Sequence, residues 1–527
     1  MMINVTSAKL AGIDAVAVSV EVDVTAGLGI HLVGLADVAV KESLLRTITA
    51  LQSVGFRIPG KKIVINLAPA DMHKKGSGYD LPIAVGIVAA SGQMHLPRLK
   101  DFLLMGELGL DGSLRAVAGT LSAAELARSL GKQGCIFPWE SAPGAAVFDD
   151  LQVYGARSLT DVFRILDSPV LADEFLVRDA DGAGQQASSG GEEYLDFAEI
   201  FGQDTAKRGL EIAAAGGHNV IMIGAPGSGK TTLARALAGI LPPMDKEEAM
   251  VVSKVYSAAG KNFSSGGLIR ARPFRSPHYS ATLAAIIGGG TGDNILPGEV
   301  SLSHEGVLFL DEFAQMPKSV TESLRGPIED RRVVISRLHS KIEFPSSFML
   351  VAASNPCPCG YYGEGERCTC TPGQRLAYLS KLSGPIMDRI DIQLWIHPVK
   401  TGTLLNGYRM GTEAGGSLKW AVEASQTSAA IRERVIRARE VQRKRFGGYT
   451  TNAEMNGRQM QMFCPLSADC EAVLHKIIDS MSLSARAFSR IVKMSRTIAD
   501  LEGVPDILPR HILEASSMRF LDRRNIL

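Results

Sequence analysis

Residues 219–243 read NVIMIGAPGSGKTTLARALAGILPP. Val220 to Ile223 form a short apolar run of strand type, and the residues after Lys230 repeat at helical spacing until Pro242 and Pro243 stop them. Between the two stand Gly224, Ala225, Pro226, Gly227, Ser228, Gly229, Lys230, Thr231 and Thr232, which is G-x-x-x-x-G-K-T in the strand, loop and helix setting it requires. The glycines let successive backbone N–H groups curl around phosphate oxygens, and the following helix turns the positive end of its dipole toward them. Lys230 adds a point charge beside the β and γ phosphates of ATP, and Thr231 offers a hydroxyl to magnesium. A strand feeding a helix through such a loop predicts an α/β core on a parallel sheet.

Further along, GVLFLDE (306–312) is an apolar strand ending in two adjacent carboxylates. Downstream of a phosphate loop, Asp311 is placed to hold Mg2+ through its water shell and Glu312 to polarise an attacking water. A third apolar strand, FMLVAASN (348–355), ends at Asn355, whose amide suits orienting that water and registering the γ-phosphate. In SGPIMDRIDI (383–392), Arg389 stands in an acid-flanked turn. An arginine between aspartates is ordinarily a surface ion pair, but phosphoryl transfer calls for one more positive charge and Arg389 is the candidate.

A chain of 527 residues is too long for one hydrophobic core and predicts about three domains. Residues 1–178 alternate strand-like runs such as AVAVSVEVDV with helical ones such as LPIAVGIVAASGQ, reading as a compact α+β domain. Residues 179–193, DADGAGQQASSGGEE, have the composition of a flexible linker. The α/β core then occupies 194–399, a connecting loop 400–424, and a helical lid 425–527. The composition, 46% hydrophobic and 21% charged with a formal net charge of +1, excludes disordered and fibrous classes and points to no partner by bulk charge. Any affinity for nucleic acid must come from local placement of lysine and arginine. No apolar run is long enough to span a bilayer and Met1 to Lys9 lacks a secretory pattern, so a cytoplasmic protein with no membrane contact is expected.

Four of the seven cysteines fall in CPCGYYGEGERCTC (357–370). Cys357, Cys359, Cys368 and Cys370 can close a tetrahedral structural Zn2+ site, although one-residue spacing is rarer in such sites than C-x-x-C; the alternative is a reduced, redox-labile loop. IRERVIRAREVQRKRFGGY (431–449) is strongly basic, which fits either a solvated helix face or a nucleic-acid contact. RRVVISRLHSKIEFP (331–345) reads as a β-hairpin directly before the Asn355 strand, with Arg337, His339 and Lys341 near its tip as candidate DNA contacts.

Taken together, GAPGSGKTT, GVLFLDE, NPCPCG and SGPIMDRID, preceded by RPFRSPHYS and followed by SARAFSRIVKMSRTIADLEG, closely resemble the magnesium-chelatase-like AAA+ proteins of the YifB/ComM family over essentially the whole chain. The resemblance implies an AAA+ P-loop core with a Lon-protease-like N-terminal domain and a helical lid. It makes Gly224 to Thr231 the nucleotide loop, Lys230, Asp311, Glu312 and Asn355 catalytic, Arg389 an arginine finger offered to a neighbouring subunit, and Arg486 a second sensor. Gly202 and Gln203 fall where such motors contact adenine. It further implies ATP and Mg2+, a homo-hexamer, single-stranded and branched DNA with recombination proteins as partners, and branch migration in natural transformation. His278-Tyr279 stands where two histidines are expected, so a role for the second imidazole is not carried over. In the Lon-like segment the nucleophile's place falls at Gly78 and RAVAGTLSAAE (115–125) has no lysine for the partner, which predicts a fold without peptidase chemistry. The rivals to a DNA motor are a chelatase-type motor acting on a protein partner, and a Lon-like peptidase or scaffold.

Overall fold

The computed structural model describes residues 2–33, 38–69, 78–178, 194–261, 267–291, 294–336, 341–382, 384–399, 427–481 and 484–522. The expected linker 179–193, the connecting loop 400–424, and Arg337 and His339 lie outside these residues.

The N-terminal part carries strands β1 (Met2–Ala11), β2 (Asp14–Thr25), β3 (Ile30–Val33), β4 (Lys62–Ala68), β5 (Phe102–Leu104), β6 (Glu107–Leu108), β7 (Leu114–Arg115), β8 (Gly134–Pro138), β9 (Gln152–Ala156) and β10 (Leu176–Val177). Eight of them form a mixed sheet in the order β10-β9-β8-β5-β1-β2-β4-β3, and β6 pairs with β7. Period-two alternation along β2 turns Val18, Val20 and Val22 inward, where helix Asp80–Ala90 covers them. That helix is buried on nearly every side and accordingly has no polar face. Gly78 lies in the turn before it, its carbonyl accepting from the Gly106 N–H at 3.1 Å.

In the central part come β11 (Val220–Gly224), β12 (Phe274–Arg275), β13 (Gly288–Thr291), β14 (Asn294–Pro297), β15 (Val307–Leu310), β16 (Arg332–Ser336), β17 (Lys341–Pro345), β18 (Met349–Ser354) and β19 (Ile392–Ile396). Five of these make an all-parallel sheet in the order β12-β15-β18-β11-β19. Their continuous apolar composition follows from cover on both faces. β13 with β14 and β16 with β17 form two antiparallel hairpins outside that sheet.

The described residues from 427 to 522 are mostly helical, with longest members Ser428–Phe446, Ala468–Met481 and Ala485–Glu502. The basic helix keeps a solvated face, on which Arg437 and Lys444 are exposed, but much of its positive charge is engaged within the protein. Arg432 donates to the Gly239 carbonyl and Arg439 to the Ala214 carbonyl, the orphan acceptors at the ends of two core helices. Arg434 pairs with Glu211, Arg443 with Asp245 and Arg445 with Asp500. Burial pushes the Arg439 guanidinium down to about 10. Arg432, Arg434, Arg439 and Arg443 strap the lid to the core, and Arg445 ties the lid's own helices together.

Candidate nucleotide site

The phosphate loop runs from the end of β11 to the helix Lys230–Ile240. Gly227 and Gly229 have φ of 76° and 92°, the left-handed region that only glycine adopts without cost. Lys230 Nζ donates to the carbonyls of Gly224 (2.7 Å) and Ala225 (2.9 Å) and lies 3.4 Å from Asn355 Oδ1. Burial lowers the Lys230 pKa, while Asp311 and Glu312 act in the opposite direction. Asn355 reaches this point because β18 pairs in parallel with β11 from Val220↔Val351 to Ile223↔Ser354, so the two strands end level.

Thr231 Oγ1 donates to Asp311 Oδ2 at 3.1 Å, and Asp311 Oδ1 accepts from the Glu312 N–H at 2.8 Å. A hydroxyl and a carboxylate meeting at the phosphate loop are the hard oxygen donors that Mg2+ takes, so these residues fit that ion. Glu312 has φ 49°, left-handed for a residue with a side chain, at a cost of about 1–3 kcal/mol. This strain sits directly after β15 and beside the phosphate loop.

Gln203, also left-handed at φ 62°, directs Nε2 to the carbonyls of Ser228 and His397. Beside it opens a cleft of about 450 Å3 lined by Gly202, Gln203, Trp395, His397, Met518 and Phe520. Trp395 and Phe520 give it flat apolar faces and Gln203, Thr205, Gln393 and His397 polar groups, a mix that fits a purine ring. Trp395, His397 and Phe520 were not legible as site residues, because they belong to the end of β19 and the last described turn of the lid, far apart in sequence. Ser228 Oγ is buried without a hydrogen-bond partner among the described residues.

The two arginines predicted to reach phosphate are engaged elsewhere. Arg389 is buried; Nη1 donates to the Pro385 carbonyl at 2.6 Å and Nη2 pairs with Glu329. Arg486 forms an exposed pair with Asp388 at 2.9 Å. Behind them Asp391 is buried against His218 (3.3 Å), the Asn219 N–H (3.1 Å) and Arg490 (2.9 Å). Arg490 and its neighbours hold the Asp391 carboxyl far below its usual range against the cost of burial. Asn219 adds a bond to the Leu350 N–H (2.9 Å) and one to the Arg389 carbonyl (3.0 Å), joining the bases of β11, β18 and β19.

The hairpin β16–β17 is present, with Arg332↔Pro345 to Ser336↔Lys341 in register. Val333, Ile335 and Phe344 turn into the core, while Arg332 and Glu343 form an exposed pair at 3.2 Å and Lys341 is exposed at the tip end. The four sulfurs of Cys357, Cys359, Cys368 and Cys370 lie within 4.8 Å of one another. The Tyr361 N–H, aimed at the Cys359 sulfur, draws that thiol down to about 6.

Sheet order, phosphate loop, acidic pair and sensor position define a P-loop ATPase core of the magnesium-chelatase kind. The family model described as magnesium chelatase, subunit ChlI, matches residues 196–404; that described as subunit ChlI of Mg-chelatase matches 20–141; and the ChlI C-terminal model matches 425–519. The chain is 40% identical to the competence protein ComM of Haemophilus influenzae over 97% of this chain and 96% of that protein. It is likewise 40% identical to the uncharacterized protein YifB of Salmonella typhimurium, over the same shares. The magnesium-chelatase 67 kDa subunit of Chlorobaculum parvum is 27% identical over 31% of this chain and 23% of its own length. The chain belongs to the ComM/YifB family of magnesium-chelatase-like AAA+ proteins. Among the described residues no helix is long and apolar enough to cross a membrane.

Proposed function

We propose that this chain is an ATP-driven motor that assembles as a hexamer and moves branched DNA, aiding integration of single-stranded DNA in natural transformation and homologous recombination. The observation that carries the reading is a mechanical connection. Only residues 346–348 separate the hairpin strand β17 from β18, and β18 delivers Asn355 to Lys230. A change at the γ-phosphate can therefore be passed to the hairpin tip.

In this reading Lys230 and the loop N–H groups bind the phosphates, and Thr231 and Asp311 hold Mg2+, which when bound neutralises phosphate charge. Glu312 polarises the attacking water, and Asn355 orients it. Arg389 leaves Glu329 to complete the site of the next subunit, and Arg486 follows the nucleotide from the lid. Gln203 and the Trp395 cleft take the adenine. Arg337, His339 and Lys341 present positive and hydrogen-bonding groups to the DNA backbone, giving sequence-independent, salt-sensitive contacts. The N-terminal part is a Lon-protease-like fold without peptidase chemistry, since Gly78 supplies no nucleophile. A DNA substrate places the work in the cytoplasm.

The ChlI matches across all three regions favour a second reading, a chelatase-type motor that remodels a protein partner. A branched three-strand DNA incubated with protein and ATP separates the two. DNA-stimulated ATP hydrolysis with movement of the branch, both lost in Lys230→Ala, is expected. Hexamers that hydrolyse ATP but neither respond to DNA nor move the branch would overturn the DNA reading in favour of the second.

A further inference from the structure

The loop 356–371 carries little regular secondary structure. It contains Gly360, Gly363 and Gly365 and a single helical turn, Gly365–Arg367. Yet it makes specific contacts at both ends of the nucleotide site. Gly360, at φ 86°, packs so closely on the phosphate loop that a Cβ there would stand 2.9 Å from Pro226 Cδ and 3.9 Å from Asn355 Cγ. Two residues on, Tyr362 meets Trp395 edge to face at 6.2 Å, with Arg375 stacked on its ring at 4.2 Å. Gly363 likewise lies against Trp395, where a Cβ would be 3.1 Å from the indole. The loop thus spans from the phosphate side to the wall of the adenine cleft.

What can fix it is the thiol cluster. Sulfur separations are 3.3 Å for Cys357 to Cys359, 3.7 Å for Cys359 to Cys368 and 3.8 Å for Cys357 to Cys368. A disulfide would need about 2.05 Å, and all four cysteines are unpaired. Four sulfurs at about 2.3 Å from a central Zn2+ sit at the corners of a tetrahedron with edges of about 3.8 Å, which these separations approach. Cys357 and Cys359 leave the sensor strand, while Cys368 and Cys370 lead into helix Pro372–Leu379, whose first turn is fixed by a reciprocal Thr371 and Gln374 cap. Both ligand pairs are therefore anchored on regular structure.

We propose that Cys357, Cys359, Cys368 and Cys370 bind one structural Zn2+, and that the closed loop is the wall holding Pro226 and Asn355 in place around the nucleotide. On binding, the thiols give up their protons to solvent and the thiolates fill all four positions, so the ion has no open coordination site. The second half of the proposal rests on the ATP-site reading; the first does not.

Full-length protein purified without a metal-affinity tag should contain about one zinc per chain by elemental analysis. The double variant Cys359→Ser/Cys370→Ser should lose it. Because that variant can also unfold, the parent protein is stripped with a chelator under reducing conditions and then reloaded with zinc alone. Affinity for a fluorescent ATP analogue should fall at least about tenfold on stripping and return on reloading. Gly360→Ala should keep its zinc yet weaken nucleotide binding, because its Cβ presses on Pro226. Parent protein that is folded, takes up no zinc and leaves four thiols freely titratable would overturn the metal site. Unchanged nucleotide affinity after stripping would overturn the coupling. Zinc-loaded protein that binds no ATP analogue at all would overturn the ATP-site reading and leave the metal site standing.

Discussion

Arg389 offers the sharpest quantitative test of the motor, because its present partner and its proposed one differ so much in worth. Its guanidinium is 7% exposed, but the Glu329 carboxylate that holds it is 55% exposed. Water around Glu329 screens the pair, so it holds Arg389 less firmly than a pair with both partners buried. An arginine finger contributes about 10³–10⁵ in rate, or about 4–7 kcal/mol of barrier. In the proposed mechanism Glu329 is the resting partner that Arg389 leaves, and the worth of the finger lies in the barrier to phosphoryl transfer and not in ground-state binding. Two consequences can be measured as ATP turnover per chain in verified hexamers. Arg389→Ala should fall by about 10³ or more, whereas Glu329→Gln should change turnover by less than about fivefold. In rings mixed equally from Arg389→Ala and Lys230→Ala chains, a working interface needs an intact loop from one and an intact finger from the other. Random head-to-tail placement gives such interfaces about one quarter of the time, so turnover should recover to about a quarter of the parent value. Mixed rings that stay inactive, or a Glu329→Gln protein as damaged as Arg389→Ala, would refute a finger acting between subunits.

Lys230→Ala should abolish productive turnover, while Glu312→Gln should bind nucleotide and fail to hydrolyse it; normal hydrolysis by Glu312→Gln removes the water-polarising role. Replacing His339 and Lys341 with alanine should remove DNA stimulation and branch migration while rings still assemble, and a variant that migrates branches at the parent rate would show that the hairpin is not the translocating element. Acid stability should depend on His304, which accepts from the Ser347 N–H at 3.0 Å and whose pKa burial lowers from 6.5 to about 4. A histidine kept neutral by the fold stabilises above its unfolded pKa, and that contribution is lost as pH falls from 6.5 toward 4. Between pH 7 and pH 5 the loss is about 2 kcal/mol, so His304→Asn should show a shallower decline in urea midpoint over that window, and an identical decline would rule the effect out.

The phosphate loop, the acidic pair and Asn355 are legible because fold and chemistry share a few residues: an apolar run makes the strand, and the next polar side chain stands at its end. The cysteine spacing likewise exposes the four-thiol cluster, but nothing in it reveals Pro226 as the neighbour. The basic helix is opaque for a different reason. Arg432 and Arg439 acquire their meaning from carbonyls at Gly239 and Ala214, ends of helices 193 and 225 residues away. The sequence offers Arg389, in its acid-flanked turn, as the candidate for an added charge at phosphate, but Glu329 and the burial that enclose it come from distant residues and are not visible there. The β13–β14 hairpin leaves almost no alternating pattern, since Gly288 to Gly290 carry no side chains to alternate.

The tight turn between β1 and β2 does more than reverse the chain. Gly12 comes so close to the β17 backbone that a Cβ would stand 3.1 Å from the Glu343 carbonyl oxygen, and Ile13 packs into the cluster that contains Ile335 and Phe344. Next to it Asp14 and Glu125 both hold Lys254 of the core, and the Gly119 N–H donates to Ser257 Oγ at 2.9 Å. The N-terminal sheet is thus in gear with the hairpin. In the proposed motor, a stroke of β17 would either slip over Gly12, where the missing side chain leaves the least to catch on, or carry the whole N-terminal sheet along with it.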